Sequence, residues 1–96
     1  MIVKKHRAGD GRLVLAVCDD DILGKKFLEG DLQLDLSSGF YKGTKMTEEE
    51  TGKLFGSASI INLVGKKSVK LGLKNKIISK SRIITVKGVP HAQAVL

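Results

Sequence analysis

One cysteine, one proline and no tryptophan stand in a chain of 96 residues, and past Glu50 there is no aspartate or glutamate at all. The lone thiol, Cys18, excludes an internal disulfide and fits a reducing compartment. No apolar run approaches the roughly 18 residues that a membrane-spanning helix needs. The opening Met1-Ile2-Val3-Lys4-Lys5 has no signal-peptide layout, so a cytoplasmic location without a membrane partner is expected. Also missing are a glycine-rich phosphate loop, a Cys-x-x-Cys pair and a His-Glu-x-x-His helix. No catalytic residue, metal ligand or cofactor is assigned, and a binding role is favoured over an enzymatic one.

Hydrophobic residues make up 42% of the chain, a share that suits a folded globule and not a disordered segment. Residues 1–96 fit a single domain with a thin core. The net charge of +7 is unevenly placed. Met1 to Glu48 carries eight Lys/Arg and eight Asp/Glu, for zero, whereas Glu49 to Leu96 carries nine and two, for +7. Lys66, Lys67, Lys70, Lys74, Lys76, Lys80, Arg82 and Lys87 fall within 22 residues, with no acid among them. Such asymmetry favours an anionic partner, nucleic acid first.

Local patterns suggest the elements. Ile2 to Arg7 and Arg12 to Val17 read as two strands joined through Ala8-Gly9-Asp10-Gly11, since Asp-Gly suits a tight reversal. The second strand is nearly all apolar and is expected at the sheet centre, covered on both faces. His6, among lysines, reads as a solvated edge residue. Asp19-Asp20-Asp21 admits a hard-cation reading, but capping a short helix over Ile22 to Leu28, with Leu23 and Phe27 on one face, explains it more simply. Asp31 to Leu36 alternates polar and leucine, a strand with one wet face. Phe40 and Tyr41 lie in a loop beside Lys42, placed to stack on a base or, as favoured here, to fold over the core edge. Thr47 to Glu50 is a capping box for a helix through Leu54 and Phe55. Ala58 to Gly65 is an apolar stretch, helical or extended, with Asn62 alone inside it. Lys66 to Leu71 suggests a short helix closed by a left-handed Gly72. Ile83 to Val86 and His91 to Val95 read as strands bent apart by Gly88 and Pro90. The sum is an α+β fold: a small mixed, mainly antiparallel sheet with two or three short helices in a single layer against it.

Ile22-Leu23-Gly24-Lys25, Phe40-Tyr41, Ile61-Asn62-Leu63-Val64-Gly65 and above all Gly88-Val89-Pro90-His91-Ala92-Gln93 resemble an archaeal family, domain of unknown function 424. The resemblance covers nearly the whole chain. It implies an archaeal cytoplasmic source and an α/β fold, and it implies no activity. The stretch after Gly65 departs from the family pattern in being more basic.

His91 and Gln93 share one side of an extended segment and with Asn62 could form a polar contact site for a ligand or partner, with Phe40 and Tyr41 as further candidates. The eight cations point to phosphate. Few aromatics and no recognition helix argue against sequence-specific DNA reading. The expected function is therefore RNA or ribonucleoprotein binding, associated with the ribosome or translation. Two alternatives stand beside it: a protein-interaction module or homodimer using the apolar C-terminal run Ala94-Val95-Leu96, and a small enzyme or ligand-binding protein with a site around His91.

Overall fold

Asp10-Gly11 does reverse the chain. In the computed structural model, which describes residues 1–96, strands β1 (Ile2–Arg7) and β2 (Leu13–Cys18) pair antiparallel from Ile2↔Cys18 to Arg7↔Leu13. Gly11 takes the positive φ that the turn requires. After β2 the chain forms a two-stranded ribbon, β3 (Lys26–Glu29) with β4 (Leu32–Asp35), then a two-residue strand β5 (Thr44–Lys45) beside β1. Helix α1 (Glu48–Leu54), strand β6 (Ile60–Val64), helix α2 (Lys66–Lys74) and the hairpin β7 (Ile84–Val86) and β8 (Val89–Val95) complete it. The six-stranded sheet has the order β5–β1–β2–β6–β8–β7. Its centre, β2 against β6, is parallel, and every other neighbouring pair is antiparallel. The fold is α+β with a mixed sheet.

Alternation along the central strands sorts two cores onto two faces. Leu13, Leu15, Val17, Ile61, Leu63, Ala92 and Ala94 meet Phe55 and α2's Val69 and Leu71 on the helical face. Ala16, Cys18 and Val64 meet Leu34, Leu36 and Tyr41, from the ribbon side, on the other. A strand covered on both faces has no polar alternate, which is why β2 reads as a continuous apolar run, while β6 is interrupted by the half-buried Asn62 where its second face is less covered. Cys18 and Tyr41 lie in this second core, and burial pushes each to a pKa of about 12. A thiol so protonated is no nucleophile.

Two expected elements differ. Ile22 to Leu28 is not a helix: it is a single 3-10 turn (Asp20–Ile22), a left-handed Gly24 and strand β3. The pairing of Lys26 to Glu29 with Leu32 to Asp35 overrides the helical spacing of Leu23 and Phe27. Of the three alternating leucines, Leu34 and Leu36 are buried but Leu32, opposite Glu29 at the turn end of the ribbon, is exposed. The basic helix does not stop at Gly72 but runs to Lys74. Gly72 sits inside it because a Cβ there would fall 2.5 Å from Leu63 Cδ1, so it permits close packing on β6. The C-terminal strands form as expected, and β8 pairs with β6.

The aspartate run does cap a helix, but a distant one. Asp19 ends β2 beside the end of β6, and its buried carboxylate accepts from Lys67 N at 2.9 Å, Ser68 N at 2.8 Å and Ser68 Oγ at 2.7 Å. Gly65, with φ 105, lets the chain pass: a Cβ there would lie 2.3 Å from Asp19 Cγ. Losing a cap with charge-assisted bonds costs about 2–3 kcal/mol. Asp19→Ala should therefore lower the urea midpoint by that equivalent, while Asp21→Ala, which makes no hydrogen bond or ion pair, stays within about 0.5 kcal/mol of the parent. Equal effects of the two substitutions would contradict the cap.

Candidate nucleic-acid interface

Helix α2 buries Ser68, Val69, Leu71 and Gly72 and turns Lys66, Lys67, Lys70 and Lys74 outward. That division follows from helical spacing, since positions 66, 70 and 74 fall four apart on one stripe. All eight cations between Lys66 and Lys87 are exposed, and none lies within ion-pair distance of a carboxylate. Lys66 and Lys67 share a cleft of about 420 Å³ with Lys87, which the β7–β8 turn brings to the start of α2. Gly65 N donates to Pro90 O at 2.9 Å and fixes that approach. Asp19 and Asp21 also line this cleft, but the Asp19 carboxylate faces the helix N–H groups. Lys74 lies apart from this cluster, beside Glu48, Glu49 and Lys53 in the groove between the helices.

At the other end of α2 the chain closes in a Schellman arrangement. Lys76 N donates to Leu73 O and Ile77 N to Gly72 O, each at 3.1 Å, with Lys76 at φ 58. Glycine is the usual occupant of such a position. Lys87, at φ 51 before Gly88 at φ 78, likewise holds the first place of a tight hairpin turn that favours asparagine or glycine. Two of the eight cations therefore occupy left-handed positions. Lys76 and Arg82 line a second cleft, about 450 Å³, on the edge of β8, and Lys80 and Arg82 form a 3-10 turn between it and β7.

The second group of candidates is only partly assembled. Gln93 Nε2 donates to Asn62 Oδ1 at 3.2 Å across β6 and β8, so these two side chains pair on the sheet surface. His91 lies on the same sheet face, one step along, half-buried and without a hydrogen-bond partner in the chain. Phe40 is far along that face, stacked on His6 with ring centroids 4.5 Å apart, while His6 Nε2 contacts Phe40 O at 2.8 Å. Tyr41 is buried. Tyr41 thus folds into the core, whereas Phe40 stays exposed against the His6 ring. No three His, Cys, Asp or Glu side chains are grouped to hold a metal ion. Asp19 is taken by the cap, and Asp20 lies 3.2 Å from Lys45.

The family model described as "Protein of unknown function (DUF424)" matches residues 6–96. The chain belongs to this family. Among solved structures, it resembles an uncharacterised conserved protein from Methanopyrus kandleri with a TM-score of 0.81 and 28% identity, over 96% of this chain and 87% of that one. No curated protein matches the sequence.

In this member of the DUF424 family, the Ile61–Gly65 and Gly88–Gln93 segments lie side by side in β6 and β8 and meet at the Gly65–Pro90 bond. Asp19, Ser68 and Gly65, which set where α2 begins, were not legible as a unit, because 48 residues separate donor and acceptor. The positive φ of Lys76 and Lys87 gave no signal either, since nothing in a lysine announces it.

Burial holds the His91 imidazole below its ordinary pKa, because the charged ring is poorly solvated there. The folded state then binds this proton less well than the unfolded one, and stability falls as pH drops through the usual histidine range, about 6.5 and below. The urea midpoint should decline from pH 7 to about pH 5, above the carboxylate range, and His91→Gln should flatten that decline. An unchanged profile in the variant would refute the assignment.

Proposed function

We propose that this protein is an archaeal cytoplasmic accessory domain that binds the phosphate backbone of structured RNA, in a ribosomal or other translation assembly. The surface is α2's lysine stripe, extended by Lys87 at its start and by Lys76, Lys80 and Arg82 beyond its end. The observation that carries the reading is eight exposed cations whose charged heads form no ion pair, in a half-chain that has no acidic residue after Glu50. The one carboxylate bonded to any of these residues, Glu29, accepts from the Lys87 main-chain N–H at 2.9 Å. A nine-residue helix is about 13.5 Å long, so the stripe and its flanks match the scale of successive phosphates. Lysine, a point charge on a flexible stem, suits phosphate without reading bases. No aromatic side chain lies among these residues to stack a base.

Fluorescence anisotropy with a structured RNA should give affinity that falls steeply with salt. Charge reversal of Lys66, Lys67 and Lys70 to glutamate should weaken binding and reduce the log–log salt slope by about 2 to 3, near 0.7–0.9 for each phosphate no longer neutralised. Weak, salt-insensitive binding by parent and triple variant alike would sink the proposal.

Substitution at the left-handed lysines separates binding from folding. A lysine at positive φ costs about 1–2 kcal/mol, partly regained in the unfolded state relative to glycine. The double variant Lys76→Gly, Lys87→Gly should keep or slightly raise the melting temperature while RNA affinity drops severalfold. Lower stability with unchanged affinity would assign these lysines to the fold alone.

A further inference from the structure

The hydrogen-bond direction along β8 can be read residue by residue. Pro90 O accepts from Gly65 N and Leu96 N donates to Ser59 O, so the main-chain groups of even-numbered residues face β6. Those of odd-numbered residues therefore face the other way. At Val89 and His91 they meet β7, whose pairing ends at Ile84↔His91. In register, Gln93 would be met by Arg82, but there the chain has already turned into the 3-10 turn Lys80–Arg82. The outward N–H and C=O of Gln93 and Val95 consequently have no strand beside them. The cleft of about 450 Å³ along this edge is lined by Lys76, Ser79 and Arg82 and contains no acidic residue. Val95 is 74% exposed at its mouth, and Ile84 is 52% exposed where β7 ends.

An open edge presenting alternate donors and acceptors is matched by another extended backbone. A second copy of this chain fits poorly, because edge-to-edge pairing would bring two Lys76/Arg82 pairs together on molecules that each carry +7. RNA has phosphates for the cations but no alternating N–H and C=O for the edge. We infer that the β8 edge at Gln93 and Val95 is a docking site for an extended, acid-bearing peptide segment of a protein partner, which adds a strand in line with β7 while its carboxylates meet Lys76 and Arg82. This surface does not depend on the RNA reading.

The probe is a capped heptapeptide alternating valine and glutamate, titrated into the 15N-labelled full chain. Its controls are the same peptide with lysine for glutamate, the acidic peptide N-methylated on its edge-facing amides, and a single-stranded RNA oligomer. In the free chain, Gln93 and Val95 amides should exchange with solvent faster than those of Ala92 and Ala94, which are bonded to β6. The acidic peptide should shift the Gln93 and Val95 resonances and slow their exchange, and neither peptide control should do so. Val95→Pro removes an outward N–H while leaving the β6 ladder intact; it should weaken binding about tenfold, the equivalent of one or two main-chain hydrogen bonds. Retained protection at Ala92 and Ala94 verifies its fold. The double variant Lys76→Glu, Arg82→Glu should weaken the acidic peptide and admit the basic one, and it carries the test should Val95→Pro not fold. Slow exchange at Gln93 and Val95 in the free chain, equal shifts with the N-methylated peptide, or shifts with RNA but not peptide would each overturn the inference. So would concentration-dependent self-association abolished by Val95→Pro, which would make the occupant a second copy.

Discussion

The Asp19 carboxylate holds together three things that have no local reason to coincide: the parallel register of β2 with β6, the left-handed passage through Gly65, and the start of α2. Parallel pairing places the ends of the two strands side by side, Cys18 opposite Val64, and so sets Asp19 against the residues that follow β6. Only glycine leaves room for that carboxylate at position 65. The first free N–H groups of a helix attract anions, and here two of them are met from within the chain. Any phosphate contact at this end of α2 thus falls to the Lys66 and Lys67 ammonium groups rather than to those amides.

The same carboxylate offsets an electrostatic conflict. Lys66 and Lys67 stand in the first turn of α2, where the helix dipole disfavours positive charge. Lys66, Lys70 and Lys74 repel at i,i+4 spacing, by a few tenths of a kcal/mol per pair. With no acidic residue of its own, this helix gains nothing from side-chain ion pairs. Its stability rests on the Asp19 cap, on burial of Val69 and Leu71, and on the close approach that Gly72 allows to Leu63. The basic surface is therefore sustained by groups outside it, and the left-handed Lys76 and Lys87 add conformational strain to the charge repulsion.

How much of this was legible depended on the range over which each residue acts. Asp10-Gly11, the Thr47–Glu50 box and the alternation of Leu32, Leu34 and Leu36 are local statements, and each marked its turn, helix start or strand. Asp19 and Gly72 have two physical uses apiece. An aspartate before an apolar run caps whichever helix presents free N–H groups, and sequence order favours the nearest, whereas the fold presented one 48 residues on. A glycine near a helix end serves as a left-handed cap or as a point of close packing, and only the position of β6 decides between them. Ala58 to Gly65 stayed open between helix and strand because a short apolar run broken only at Asn62 has no periodic signature of its own. Among the candidate site residues, the lysines of α2 fell outward as their spacing requires, while Asn62 and Gln93 meet through a pairing that no local pattern encodes.

The segment from Lys76 to Arg82 gives the two proposed surfaces a physical relation. It leaves the end of α2 through the Schellman turn and passes along the open part of β8, so Lys76 and Arg82 belong both to the basic extension of α2 and to the cleft beside Gln93 and Val95. A cation neutralised by a carboxylate releases fewer counterions to a phosphate, and the reverse holds equally. If both partners bind, each must weaken the other through these two side chains, whereas Lys66, Lys67 and Lys87, gathered at the opposite end of the helix, lie outside the competition. The fold thus separates a part of its charge that only a polyanion engages from a part that two kinds of anionic partner share.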